Sequence, residues 1–257
     1  MPTMIALKSP AELAVMRRAC GVAAQALRAV VDAVVPGITT RELDRVAEDR
    51  IRALGAVPAF LGYRGYPASL CASVNDEVVH GIPGRRRLRE GEIVSVDLGA
   101  VVEGFHGDCA VTVPVGVISE PARELLRVTA ESLEEGIRAV RAGARLGDVG
   151  AAIQRYVERH GFSVVREFAG HGVGRRLHED PQIPNFGRPG SGVALQSGMT
   201  LAIEPMVNAG THEVTMDPDG WTVRTKDGKL SAHFEHTVAV TAEGAEVLTR
   251  LPEDASV

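Results

Sequence analysis

An α+β fold of two related halves, antiparallel strands inside and helices covering one face, is predicted by three features of the sequence. Four stretches carry helix-start signals and apolar stripes, and short β-branched runs alternate with them. The same series of elements then recurs roughly one hundred residues later along the chain.

The first helix opens at Ser9-Pro10-Ala11-Glu12, with a capping serine, a proline at the first helical position and a glutamate at the third. It runs to Val35, where Pro36-Gly37 stops it. Thr39 and Glu42 repeat the capping-box spacing, and Leu43, Val46, Ala47, Ile51 and Leu54 form one stripe before Gly55. A third helix opens near Ser119-Glu120-Pro121 and carries Leu125, Leu126, Leu133, Ile137 and Val140. A fourth runs from about Asp148 to His160 and ends at Gly161. The short runs at 93–98, 110–115, 199–207 and 234–240 read as strands.

Gly37 and Gly55 recur as Gly143 and Gly161, each 106 residues on. The run from Gly91 to Asp97 matches the run from Gly198 to Glu204, 107 residues on. Chance alignment of two α+β stretches is the alternative, and the matched acid closing each strand argues against it. No linker or low-complexity segment separates the halves, about 10–115 and 119–250, so residues 1–257 are expected to form a single domain.

The chain of 257 residues is 45% hydrophobic and 24% charged, enough to bury a sizeable core. A net charge of −5 offers no reason to expect DNA or an anionic membrane as the main partner. The basic run Arg85-Arg86-Arg87-Leu88-Arg89 reads as a solvated loop, with a contact to ribosomal RNA as the minority alternative. No stretch is apolar enough to span a bilayer, and Met1 to Ile5 lack the pattern of a secretory signal. Cys20, Cys71 and Cys109 form no CxxC pair and suit a reducing compartment, so the cytoplasm is expected.

Asp97 closes an apolar strand, and Asp108 follows in Gly104-Phe105-His106-Gly107-Asp108. A turn at 101–104 would pair residues whose numbers sum to 205 and set these two aspartates directly opposite each other. At about 4 Å and an effective dielectric near 20 their repulsion is on the order of 4 kcal/mol. Protonation or an intervening cation relieves it. Two exposed acids at a sheet edge are an equal alternative for the hairpin alone. Glu204 and Glu235 shift the balance, because acids flanked by apolar strand residues are rarely buried unless paired. His171 stands in Ala169-Gly170-His171-Gly172-Val173-Gly174, read as a glycine-rich turn after a strand ending at Phe168. A phosphate-cradling loop competes, but neither GKS nor GKT follows.

The segments from Ser73 through His80 to Pro83, Asp97, Gly104 to Asp108, Gly170 to Gly174, His178-Glu179-Asp180-Pro181, Ile203-Glu204-Pro205 and Phe234-Glu235-His236 together resemble the methionine aminopeptidases. They span nearly the whole chain in order, and the short span from His178 to Glu204 resembles the type I enzymes. The resemblance implies the pita-bread fold, a single catalytic domain of pseudo-two-fold halves around two divalent metal ions. It implies that Asp97 chelates one ion, Asp108 and Glu235 bridge both, and His171 and Glu204 complete the other. This oxygen-rich set favours Co, Mn or Fe, admits Zn, and excludes a soft thiolate site. Such ions activate water and polarise a carbonyl, with Glu204 taking the water's proton. His80 and His178 match the family's two non-ligand histidines, which donate to the developing oxyanion or the departing amide nitrogen. Tyr63, Tyr66, Cys71 and Trp221 match residues lining the family's methionine pocket. Leu177 lies beside that pocket where the family often has Phe, and Cys109 stands where it more often has Ser or Thr.

Outside the matched positions, His160 sits at a helix end, and His106 and His233 lie two residues from acids on the same strand faces. The expected activity is removal of the initiator methionine from nascent polypeptides, by a monomer in transient contact with the ribosome. An X-Pro peptidase of the same superfamily would usually carry a further N-terminal domain. A non-catalytic pita-bread adaptor would have lost ligands.

Overall fold

The computed structural model describes residues 5–250. Residues 1–4, part of the segment read as lacking a secretory signal, lie outside them. Helix α1 is Pro10–Ala33, α2 Thr40–Ala53, α3 Glu120–Arg138 and α4 Leu146–Arg159. Both expected capping boxes form, Ser9 with Glu12 and Thr39 with Glu42, satisfying amides the helix itself leaves unpaired. Helix α4 starts earlier than expected because Asp148 reaches back to accept from the Arg145 amide at 2.8 Å. Among the described residues no helix is long and apolar enough to cross a membrane.

The main antiparallel sheet runs in the order Val57–Pro58, Ile93–Val102, Phe105–Pro114, Glu235–Val240, Thr200–Ile203, Gly170–Gly172, Glu179–Ile183. At its centre a strand pair from the first half lies beside a strand pair from the second. The chemistry-bearing acids come from three of these strands and from Glu204, the residue that follows the fourth.

Strand alternation decides which face is buried under helices. Val94, Val96, Leu98, Ala100 and Cys109 pack against Ala23, Ala26 and Val30 of α1 and Leu43, Ala47 and Ile51 of α2. In the second half Leu201, Ile203, Val238 and Val240 pack against Leu125, Leu133 and Ile137 of α3 and Val149, Ile153 and Val157 of α4. Helices therefore cover this face across both halves, and the residues between these apolar positions point the other way, where Ala202 and Ala239 share a cluster with Met16 and Cys20 of α1.

Three sequence expectations are corrected. The first hairpin turns at Glu103-Gly104, both at positive φ (49° and 78°), as a two-residue connection requires. That moves the register, so Asp97 pairs with Ala110 and Asp108 with Gly99; the aspartates are diagonal neighbours rather than directly opposed. The expected strand at 199–207 is split into Thr200–Ile203 and Met206–Asn208, which belong to different sheets. The break falls at Glu204-Pro205, where proline has no N–H to give the ladder. Finally, the strand expected to end at Phe168 is Ser163–Val164, and His171 sits in a strand of its own, Gly170–Gly172.

The flanking glycines explain that last difference. A Cβ on Gly170 would lie 2.3 Å from the Ala202 carbonyl oxygen, and one on Gly172 2.3 Å from that of Asp180. Glycine here allows neighbouring backbones to approach rather than the chain to turn. The basic run is tied back onto the protein: Arg86 bonds Glu77 and Glu92, and Arg87 donates to the Gly37 carbonyl.

Candidate active site

The sheet register alone places five polar side chains on one face. Ala110 pairs with Asp97 on one side and Glu235 on the other, and Asp108 lies two residues before it. Ala202 pairs with Thr237 and with His171, and Glu204 lies two residues beyond it. Cross-strand partners share a face, and so do residues two apart. Asp97, Asp108, His171, Glu204 and Glu235 therefore share a face, and all five line one cavity of about 140 Å³.

Asp108, His171 and Glu235 form the tightest group, each offering one ligand atom within 4.8 Å of the others. The His171 Nε2 lies 3.8 Å from Asp108 Oδ2 and 3.4 Å from Glu204 Oε1. Its Nδ1 stands 2.9 Å from the Gly172 carbonyl oxygen. A carbonyl only accepts, so the proton sits on Nδ1 and the Nε2 lone pair faces the carboxylates. Lone pairs thus confront lone pairs across a few ångströms. Among the described residues Asp97 Oδ1, Asp108 Oδ1, Glu235 Oε1 and the His233 Nε2 are buried without hydrogen-bond partners. Buried, unpaired oxygens cost free energy unless something positive lies between them.

The titration behaviour points the same way. Burial first, then repulsion by its neighbours, holds Asp97, Glu204 and Glu235 well above the ordinary carboxylate range; Asp108 is raised mainly by burial. Burial lowers His171 to about 4 despite its carbonyl bond and the nearby Glu179, leaving it neutral at pH 7. Four acidic oxygen donors plus a neutral imidazole suit a hard or borderline divalent cation, which would reverse the cost of ionising the acids. The residues present fit a metal.

The same cavity is lined by every residue matched to the methionine pocket: Tyr63, Tyr66, Cys71, Leu177 and Trp221, with His80 and His178. Tyr66, Cys71 and Leu177 pack in one apolar cluster with Ala59, Phe60 and Ala68, against which Tyr63 and Trp221 also lie. The Tyr66 hydroxyl is turned out of the pocket toward the carbonyls of Leu70 and Gly81, at 3.1 and 3.0 Å. His178 Nδ1 is 2.8 Å from the Tyr63 hydroxyl, and its ring centroid is 4.2 Å from that of His171. Burial, then the neighbouring His171, lowers His178 to about 3. His80 is held at φ 61°, a region rarely adopted by a side-chain-bearing residue, with its ring edge-on to Phe168 and Trp221. Burial, then His178, lowers His80 to about 4.

His233 stands beside the acids, its Nε2 3.6 Å from Glu204 Oε2, whereas His106 turns its Nδ1 to the Gly174 carbonyl. His160 bonds the Tyr156 carbonyl at the end of α4. Sequence reasoning missed Phe60 and Arg64, which also line the cavity. Neither had a signal beyond its closeness in sequence to Tyr63.

The metallopeptidase family M24 profile matches residues 14–242. A methionine aminopeptidase of Clostridium perfringens is 54% identical over 96% of this chain and 99% of its own length. Methionine aminopeptidase 1 of Bacillus subtilis is 53% identical, over 96% of this chain and 100% of its own. The crystal structure of methionine aminopeptidase from Thermotoga maritima superposes with a TM-score of 0.95 at 51% identity, covering 96% of this chain and 100% of that one. A prolidase from Pyrococcus furiosus shares the fold at a TM-score of 0.79 and 24% identity, with 65% of that longer chain covered.

Proposed function

Since this chain belongs to metallopeptidase family M24, we propose that it is a metal-dependent aminopeptidase that removes N-terminal methionine from polypeptides. One observation carries the reading: five metal-ligating side chains and an apolar slot line a single cavity. The pita-bread arrangement shared with the relatives joins the two halves into one catalytic unit, each half supplying acids.

Asp97, Asp108, His171, Glu204 and Glu235 would hold two divalent ions, Co, Mn or Fe, with Zn also admitted by the donor set. When bound, such ions act as Lewis acids toward a carbonyl and lower the pKa of water. Glu204, whose two oxygens face His171 and His233, is the carboxylate placed to accept the attacking water's proton. With the Tyr63 hydroxyl donating to Nδ1, His178 keeps an Nε2–H to offer the oxygen that gains charge as water adds. His80, half-buried and locked by Phe168 and Trp221, would offer a second donor, toward the departing amide nitrogen. The substrate's thioether would enter the slot of Phe60, Tyr63, Tyr66, Cys71, Leu177 and Trp221, where polarisable sulfur meets aromatic edges. Three buried free thiols suit action on nascent chains in the cytoplasm.

The metal-loaded protein should cleave Met-Ala-Ser and leave Ala-Pro-Ala intact. Preference for the proline peptide would favour the prolidase-like reading and overturn this one. Cleavage of neither would return the chain to the adaptor class.

A further inference from the structure

Beside the central cavity lies a second groove of about 270 Å³, which shares Arg64, His171 and His178 with it. Beyond those three it is lined by Ala169, Gly170, Arg176, Glu179, Asp180 and Gln182, and by none of the apolar slot residues Phe60, Tyr66, Cys71, Leu177 or Trp221. A peptide with its first side chain in the slot and its first carbonyl over the acids therefore has this groove as a continuous way out.

The charges along it are unevenly satisfied. Glu179 is spoken for: it accepts from Lys8 Nζ at 2.7 Å, with both side chains buried, and from the Arg176 amide at 3.1 Å. Among the described residues neither Arg64 nor Arg176 forms a side-chain ion pair, whereas other exposed arginines do, for example Arg17 with Glu246 and Arg175 with Glu12. That leaves two guanidiniums against the single exposed carboxylate of Asp180. Arg64 is also held in place. Its backbone sits at φ 49°, ψ 24°, inside the one-turn 3-10 segment Tyr63–Gly65, and its guanidinium lies 5.4 Å from the Tyr63 ring centroid. A residue with a Cβ in the left-handed region carries a conformational cost, and such positions cluster where a side chain must be aimed.

Resting on the aminopeptidase reading above, we infer that Arg64 and Arg176 form a downstream subsite that favours substrates with a carboxylate side chain at their third or fourth residue. Extended chain advances about 3.3–3.6 Å per residue, so these positions lie along the groove once the first two residues span the cavity. Guanidinium matches carboxylate with paired N–H donors, and lysine at the same substrate position would meet two like charges. The effect belongs to an exposed, salt-screened site, so it tunes selection among methionine peptides and does not decide whether cleavage occurs.

The test uses C-terminally amidated peptides, which removes the terminal carboxylate as a competing anion: Met-Ala-Ser-Ser, Met-Ala-Asp-Ser, Met-Ala-Ser-Asp and their lysine counterparts. For the metal-loaded full chain at low salt, kcat/KM for the better aspartate peptide should exceed that for its lysine counterpart about tenfold, and the ratio should shrink in 0.5 M salt, taken as roughly a Debye length of a few ångströms. Arg64→Gln and Arg176→Gln should each cut the ratio to about threefold, and together bring it near one, while Arg64→Lys should keep most of it. A wild-type ratio near one, or a ratio untouched by both glutamine substitutions, overturns the inference while cleavage of Met-Ala-Ser-Ser leaves the aminopeptidase reading standing. No cleavage of any of these peptides overturns that reading, and the subsite with it.

Discussion

Loading the metal-free protein with a divalent ion should expel protons, and the site's structure sets how many. Asp97, Glu204 and Glu235 are held well above the ordinary carboxylate range by burial and mutual repulsion, and Asp108 is raised by burial. Near pH 7 several of these groups carry protons that a metal ligand must lose. His171, lowered to about 4, is already neutral and gives up none. The expected release is about two to three protons per molecule. Titration calorimetry with Mn in buffers of different ionisation enthalpy measures it directly. Release below about half a proton would show that the acids are already ionised, and would refute the electrostatic argument. The same groups fix a stability trend. Their folded values lie above their unfolded ones, so the folded metal-free protein holds more protons, and its stability falls as pH rises. The lowered histidines act in the opposite sense, but only below their unfolded value of about 6.5. Between about pH 7 and 8, above the histidines' unfolded value and below that of the buried thiols Cys20, Cys71 and Cys109, which burial also raises, the carboxylates dominate: thermal stability should fall without metal, and the fall should vanish with it.

Three further outcomes are expected. Asp108→Asn should abolish turnover while circular dichroism and the thermal transition stay near wild type; wild-type turnover at matched metal content would exclude a bridging role. Lys8→Met strands Glu179 in a buried position and should destabilise the fold by about 3–5 kcal/mol in urea titration, with Lys8→Met/Glu179→Gln recovering much of the loss. Gly172→Ala drives a Cβ to within 2.3 Å of the Asp180 carbonyl and should push the His171 strand off its neighbour, lowering both metal affinity and midpoint; an unchanged midpoint would contradict the packing argument.

The legible parts of the fold were those written in local chemistry. Capping boxes and stop signals placed all four helices to within a few residues, and β-branched runs marked each central strand, although Phe105–Pro114 starts five residues before its expected start and the run at 199–207 breaks at Glu204-Pro205. The hairpin register was not legible from symmetry: which two residues take positive φ decides it, and Glu103 gave no sign of doing so. The shared-face argument survives the corrected register, since both pairings differ by two residues and a shift of two preserves the face. His171 was placed in a turn because glycines were taken as hinges, when their purpose is close approach to Ala202 and Asp180. Arg64 and Phe60 reach the cavity through tertiary packing, which no local pattern encodes.

Anomalous diffraction from crystals of the metal-loaded protein tests the central claim most directly. Two peaks should appear, together contacted by Asp97, Asp108, His171, Glu204 and Glu235 at about 2.0–2.3 Å, with Asp108 and Glu235 touching both. Metal bound elsewhere, with these five side chains left uncoordinated, would contradict the account.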